Sequence, residues 1–114
     1  MQKRTQKKII TAIQNAVCQH YAIEPQTILI QSQKGHALGD TIKKTRGAIV
    51  FYAEQFSVEK RQLTNHFNIV GNKSLDLYND CFLQHSTPDQ RNAIFEIVWS
   101  QLKKVLAELS QTNK

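Results

Sequence analysis

Lys34, Lys43, Lys44 and Arg46 fall close together, in and just after a polar stretch that also holds Gly35 and Gly39. Ammonium and guanidinium groups grouped in this way are suited to neutralising phosphates. Each phosphate neutralised on a duplex adds about 0.9 to the slope of log affinity against log salt. Further along, Asn72-Lys73-Ser74 offers a different chemistry. The amide pairs with adenine and the ammonium reaches guanine, each good pair contributing about 1–3 kcal/mol of discrimination. The first group would supply affinity for a nucleic acid, the second a preference among sequences.

Other chemistries are poorly supplied. His20, His36, His66 and His85 are scattered, with no pair at metal-ligand spacing and no Cys-x-x-Cys. Cys18 and Cys81 read as thiols buried in a reducing cytoplasm. No glycine opens a phosphate-cradling loop followed by Lys and Ser or Thr. Nothing pairs a nucleophile with a base, so no catalytic residue, metal, cofactor, nucleotide or enzymatic reaction is expected.

The distribution of charge says more than its total. Lys and Arg number 15 against nine Asp and Glu, a net charge of +6. Residues 1–46 hold eight basic residues and two acidic ones, whereas residues 47–114 hold seven of each. The whole excess lies early in the chain, which predicts a polyanionic partner met by one face. The 114 residues suffice for one compact domain, and 40% hydrophobic with 21% charged residues is an ordinary folded composition. The basic start is followed by an apolar stretch interrupted at Thr11, Gln14 and Asn15, which makes neither a signal peptide nor a membrane span. A cytoplasmic protein is expected.

The elements that must position these side chains are helices. Ile9, Ile10, Ile13, Val17 and Tyr21 recur at helical spacing, predicting a helix over 5–21. Pro25 suits the first position of a short second helix. Residues 31–40 read as a loop. A central, mostly buried helix over 42–56 carries Ile42, Ile49, Tyr52, Ala53 and Phe56 inward. Ser57 is a candidate cap for a fourth helix whose stripe is Leu63, Phe67 and Val70, ending near Gly71. Leu75, Tyr78 and Phe82 form the stripe of a fifth helix over 74–84. Ser86 or Thr87 can cap a sixth over 88–110, striped by Ile94, Val98, Leu102, Val105 and Leu109. Trp99 is expected to pack within the fold. The fold class is all-α, with a basic arm at 1–8, one domain over 9–110 and a disordered tail at 111–114.

A basic loop followed by helix, turn and helix is the layout of a helix-turn-helix unit. On this layout the chain resembles the C-terminal, Trp-repressor-like DNA-binding domain of the bacterial replication initiator DnaA. Ile23-Glu24-Pro25-Gln26-Thr27-Ile28-Leu29 is similar to that family's short helix before its basic loop. Lys43-Lys44-Thr45-Arg46-Gly47-Ala48-Ile49-Val50-Phe51-Tyr52-Ala53 is similar to its basic stretch running into a long helix. Ser57-Val58-Glu59-Lys60 and Phe67 resemble the first helix of its helix-turn-helix, residues 73–82 its recognition helix and residues 88–109 its closing helix. The family's Asp-His-Thr-Thr, which reads bases, aligns with Gly71-Asn72-Lys73-Ser74, so its aspartate and histidine are absent. The family's ATPase module is not expected within these 114 residues.

The resemblance implies a small double-stranded DNA-binding protein of replication, transcription or a mobile element. Lys34, Lys43, Lys44 and Arg46 would lie on phosphates, and Asn72, Lys73 and Ser74 would lead the recognition helix into the major groove. The alternative is a protein–protein interaction module that kept the fold and lost base recognition, a reading that Asp76 and Asp80, one turn apart, favour.

Overall fold

The structure is a computed structural model that describes residues 2–29 and 39–112. Among these residues it is all-α, with six helices and no strand: α1 (Lys3–Tyr21), α2 (Pro25–Ile28), α3 (Asp40–Gln55), α4 (Lys60–Phe67), α5 (Lys73–Gln84) and α6 (Pro88–Thr112). No helix among the described residues is long and apolar enough to cross a membrane.

α3 is the hub. From Thr45 to Val50 every residue is buried, with Tyr52 and Ala53 beyond, and its most extensive packing is against α5. α1 packs on α6, α3 and α4. Ile10, Ile13, Ile28, Ile49, Leu63, Phe67, Leu75, Phe82, Ile94 and Leu102 meet in one core. Burying a side chain of this size contributes about 1.5–3 kcal/mol, which makes these stripes the main source of helix stability.

Local chemistry sets several helix ends. Thr87 and Gln90 form a reciprocal capping box at the start of α6, with Gln90 N–H donating to Thr87 Oγ1 at 3.2 Å and Thr87 N–H donating to Gln90 Oε1 at 2.9 Å. Ser57 does not cap α4. It takes a left-handed conformation (φ 64°) and closes α3, with its N–H on the Glu54 carbonyl and the Val58 N–H on the Ala53 carbonyl, both at 3.1 Å. This is a Schellman motif, with Val58 buried behind it. α4 therefore begins at Lys60, and it stops at Phe67 because Asn68 also turns left-handed (φ 53°).

Several expectations are corrected here. Val70 is not part of an inward stripe: the chain leaves the helix before it, and the side chain is 98% exposed. The residues expected to form a basic arm are helical from Lys3 onward. Their anchor is Gln6, which is buried. Its Oε1 accepts the Glu59 N–H at 2.8 Å and its Nε2 lies 3.4 Å from Glu59 Oε1. At the other end α6 continues through Thr112, past the expected boundary of a tail.

Candidate nucleic-acid interface

α4 and α5, the two helices expected to form a helix-turn-helix, are joined by the short segment 68–72. Gly71, at φ 82°, supplies the left-handed backbone that reverses the chain before α5. Asn72 caps α5 by position, without a side-chain hydrogen bond, and Lys73 and Ser74 open its first turn. Asn72 and Lys73 are exposed and Ser74 is half-buried, so the three predicted base-reading residues do lie together at an accessible helix start.

The predicted phosphate-binding residues separate. Lys34 lies outside the described residues. Lys43 and Lys44 are half-buried in the first turns of α3, and the Lys44 ammonium sits 5.2 Å from the centre of the Tyr21 ring. Arg46 is 1% exposed and faces the core. Its Nε donates to the Ile28 carbonyl at 2.6 Å, one terminal nitrogen donates to the Tyr78 hydroxyl at 2.9 Å, and its guanidinium carbon lies 5.3 Å from the Phe67 and Tyr78 ring centres. Hydrogen bonds and aromatic faces take the place of water around this cation. Its expected role on a phosphate is therefore corrected: Arg46 ties α2, α4 and α5 to α3.

Among the described residues the basic excess of the first 46 positions falls into two groups: Lys44 sits by Tyr21 at the end of α1, whereas Lys3, Arg4, Lys7 and Lys8 occupy its beginning, roughly 20–27 Å away at 1.5 Å per residue. What links the two ends is α5. Near its start, Asp76 meets Lys60 of α4 at 3.6 Å. Toward its end, the Cys81 sulfur lies 3.9 Å from the Asp40 carbonyl oxygen; burial and then the Asp40 charge raise the thiol's pKa, against a smaller lowering by the nearby Lys43 and Lys44. α5 thus runs antiparallel to α3, with one cation group at each end. Its exposed residues are less favourable to phosphate: Lys73 is accompanied by Asp76, Asp80 and Leu77, the last 60% exposed.

A polar chain on the α1–α4 seam escaped the sequence reading. Lys7 Nζ lies 2.8 Å from His66 Nδ1, and His66 Nε2 lies 2.6 Å from Gln14 Oε1. An ammonium can only donate, so Nδ1 accepts and the ring proton sits on Nε2, donating to Gln14. Burial, then the Lys7 and Arg46 charges, lower the His66 pKa from 6.5 to about 4. Between those values the unfolded chain takes up a proton that the folded chain refuses. Stability is therefore fully present above about pH 6.5 and declines as pH falls toward 4. Discounted for partial solvent access, the loss is on the order of 2 kcal/mol. Urea midpoints at pH 7.5 and pH 4.5 should differ more for the parent than for His66→Gln; equal differences would remove His66 as the cause.

Other candidates carry less. Both cysteines are free, and burial pushes the Cys18 thiol up to about 11, where it is inert. Among the described residues no group of three or more His, Cys, Asp or Glu could hold a metal ion. Trp99 is 41% exposed and stacks on Phe56, ring centres 6.2 Å apart. Comparison with protein-family models, with curated proteins and with solved structures returned no match.

Proposed function

We propose that this chain binds double-stranded DNA, with α5 entering the major groove and the cations at its two ends meeting phosphates on either side. The observation that carries this reading is the position of α5, an accessible helix whose Cys81, toward one end, meets Asp40 in the α3 start that holds Lys43 and Lys44, and whose other end has Lys60 and Lys73. The major groove of about 12 Å admits a helix, and its phosphate walls lie where such flanking cations would stand. The resemblance to the initiator DnaA supports the same reading. On it, the protein acts in the cytoplasm on chromosomal or mobile-element DNA and is not an enzyme. Asn72 and Lys73 bear on sequence preference, Lys43 and Lys44 on affinity.

Fluorescence anisotropy with a labelled duplex tests the proposal. Affinity should fall steeply with salt, and Lys43→Ala/Lys44→Ala should weaken binding to all sequences alike, lowering the salt slope by about 1.8 if both meet phosphates. Selection from random duplexes should return a different preference for Asn72→Ala/Lys73→Ala. An unchanged preference would reject base reading by these residues.

A second reading rests on Val70 and Leu77, apolar and exposed, beside Asp76 and Asp80. These residues would suit a protein partner with a basic and apolar contact surface. Absence of duplex binding at about 50 mM salt, where electrostatic binding is strong, would favour it over DNA.

A further inference from the structure

We infer that the first two turns of α1 join the first turn of α4 to form an additional binding surface for the sugar-phosphate backbone of duplex DNA, away from the groove-facing helix α5. The inference rests on the DNA reading and extends its contacts to a segment remote in sequence. Three observations carry it.

The first is order. Lys3, Arg4, Lys7 and Lys8 belong to a helix, held against α4 by the Gln6–Glu59 and Lys7–His66 contacts. Cations fixed in this way lose less freedom on meeting a phosphate than cations on a loose arm. The second is convergence. Gln6 meets Glu59 and Gln14 meets His66, so α1 and α4 run in the same direction and their starts lie together. Lys3 and Arg4 of α1 are thereby brought close to Lys60 and Arg61 of α4, and all four are exposed. The Lys60–Asp76 contact joins this group to the start of α5.

The third is electrostatic cost. Neither α1 nor α4 has an acidic residue in its first turn. Both present cations there, where the helix dipole is already positive, an arrangement that opposes folding. Within the fold, Glu59 at the N-cap of α4 and the Lys60–Asp76 contact offset part of this positive charge, and a polyanion would offset the rest. The patch is built of separate cations, of which Lys7 and Lys8 also border a cavity between α1 and α6, and cations spaced in this way suit a backbone bearing regularly spaced phosphates.

The test compares two charge-matched variants in duplex-binding titrations over a range of salt. Lys3→Gln/Arg61→Gln removes one cation from each helix and leaves Lys7 on His66 and Lys60 on Asp76. Lys103→Gln/Lys104→Gln removes two exposed cations from α6. Circular dichroism and thermal melts confirm that both remain folded. The α1–α4 variant should lose about tenfold in affinity at about 0.1 M salt and about 1.8 in salt slope, while the α6 variant stays within about twofold of the parent. If the parent binds and the α1–α4 variant matches it, the surface is overturned and the DNA reading stands. Equal losses in both variants would reduce the effect to net charge and also overturn the surface. A parent that binds no duplex at about 50 mM salt overturns the DNA reading itself, and this inference with it.

Discussion

Replacing Gly47 with alanine is expected to lower the unfolding midpoint by about 10 °C, from a net loss of about 2–4 kcal/mol. Two effects compete. A glycine inside a helix costs about 1 kcal/mol relative to alanine, so an exposed Gly47 would make the substitution stabilising. Gly47 is instead where α3 and α5 cross, and a Cβ there would stand 1.8 Å from the Tyr78 carbonyl oxygen, 2.6 Å from its carbon and 2.8 Å from Phe82 Cβ. Two of these atoms are backbone, so no rotamer change relieves the overlap. α5 must move outward by more than an ångström, loosening Tyr78 and Phe82 in the core. Overpacking of this kind costs about 1–3 kcal/mol and more where backbone must shift, which outweighs the gain in helix propensity. The sign is decisive: a thermal melt in which Gly47→Ala raises the midpoint would show that the two helices do not approach so closely. Because α5 also carries Asn72, Lys73 and Ser74 at its start, duplex binding should weaken even at temperatures where the variant is folded.

What could be read in advance depended on whether the signal was local. The stripe Ile94, Val98 and Leu102 reports its own burial through spacing, and Thr87 with Gln90 reports the start of α6, because both depend on neighbours within a few residues. Val70 misled because spacing alone continues a stripe through Leu63 and Phe67, while the left-handed Asn68 ends the helix first. Arg46 misled more deeply. Its partners Ile28, Phe67 and Tyr78 are distant in sequence, and in a Lys-Lys-Thr-Arg run it reads as one more surface cation. A signal was nevertheless present: positions 42, 46, 49 and 53 step by four, three and four residues, so Arg46 occupies the apolar stripe of α3. The division of the basic excess between the two ends of α1 had no local signature. It follows from where Lys44 meets Tyr21 and where Gln6 meets Glu59, and both are tertiary contacts.

Arg46→Met should destabilise the fold by about 3 kcal/mol while leaving the salt dependence of duplex binding unchanged. Methionine preserves much of the volume, so the loss comes from polar groups left without a donor: the Ile28 carbonyl and the Tyr78 hydroxyl. Lysine is no substitute, because a single ammonium cannot reproduce the planar fork that meets both groups between two rings. Burying the guanidinium has its own desolvation cost, so removing its partner as well should recover part of the loss. Tyr78→Phe alone should cost about 1 kcal/mol, and Arg46→Met/Tyr78→Phe less than the sum of the two single changes by about 1 kcal/mol. Chemical denaturation of the four proteins measures that coupling; strict additivity would deny the Arg46–Tyr78 contact. Binding then separates the two possible roles of the cation. A buried Arg46 releases no counterion when DNA binds, so a folded Arg46→Met should keep the parent's salt slope, whereas Lys43→Ala/Lys44→Ala should lower it. An Arg46→Met protein with the parent's stability and a reduced slope would return Arg46 to the phosphate surface and overturn its assignment as the tie between α2, α4 and α5.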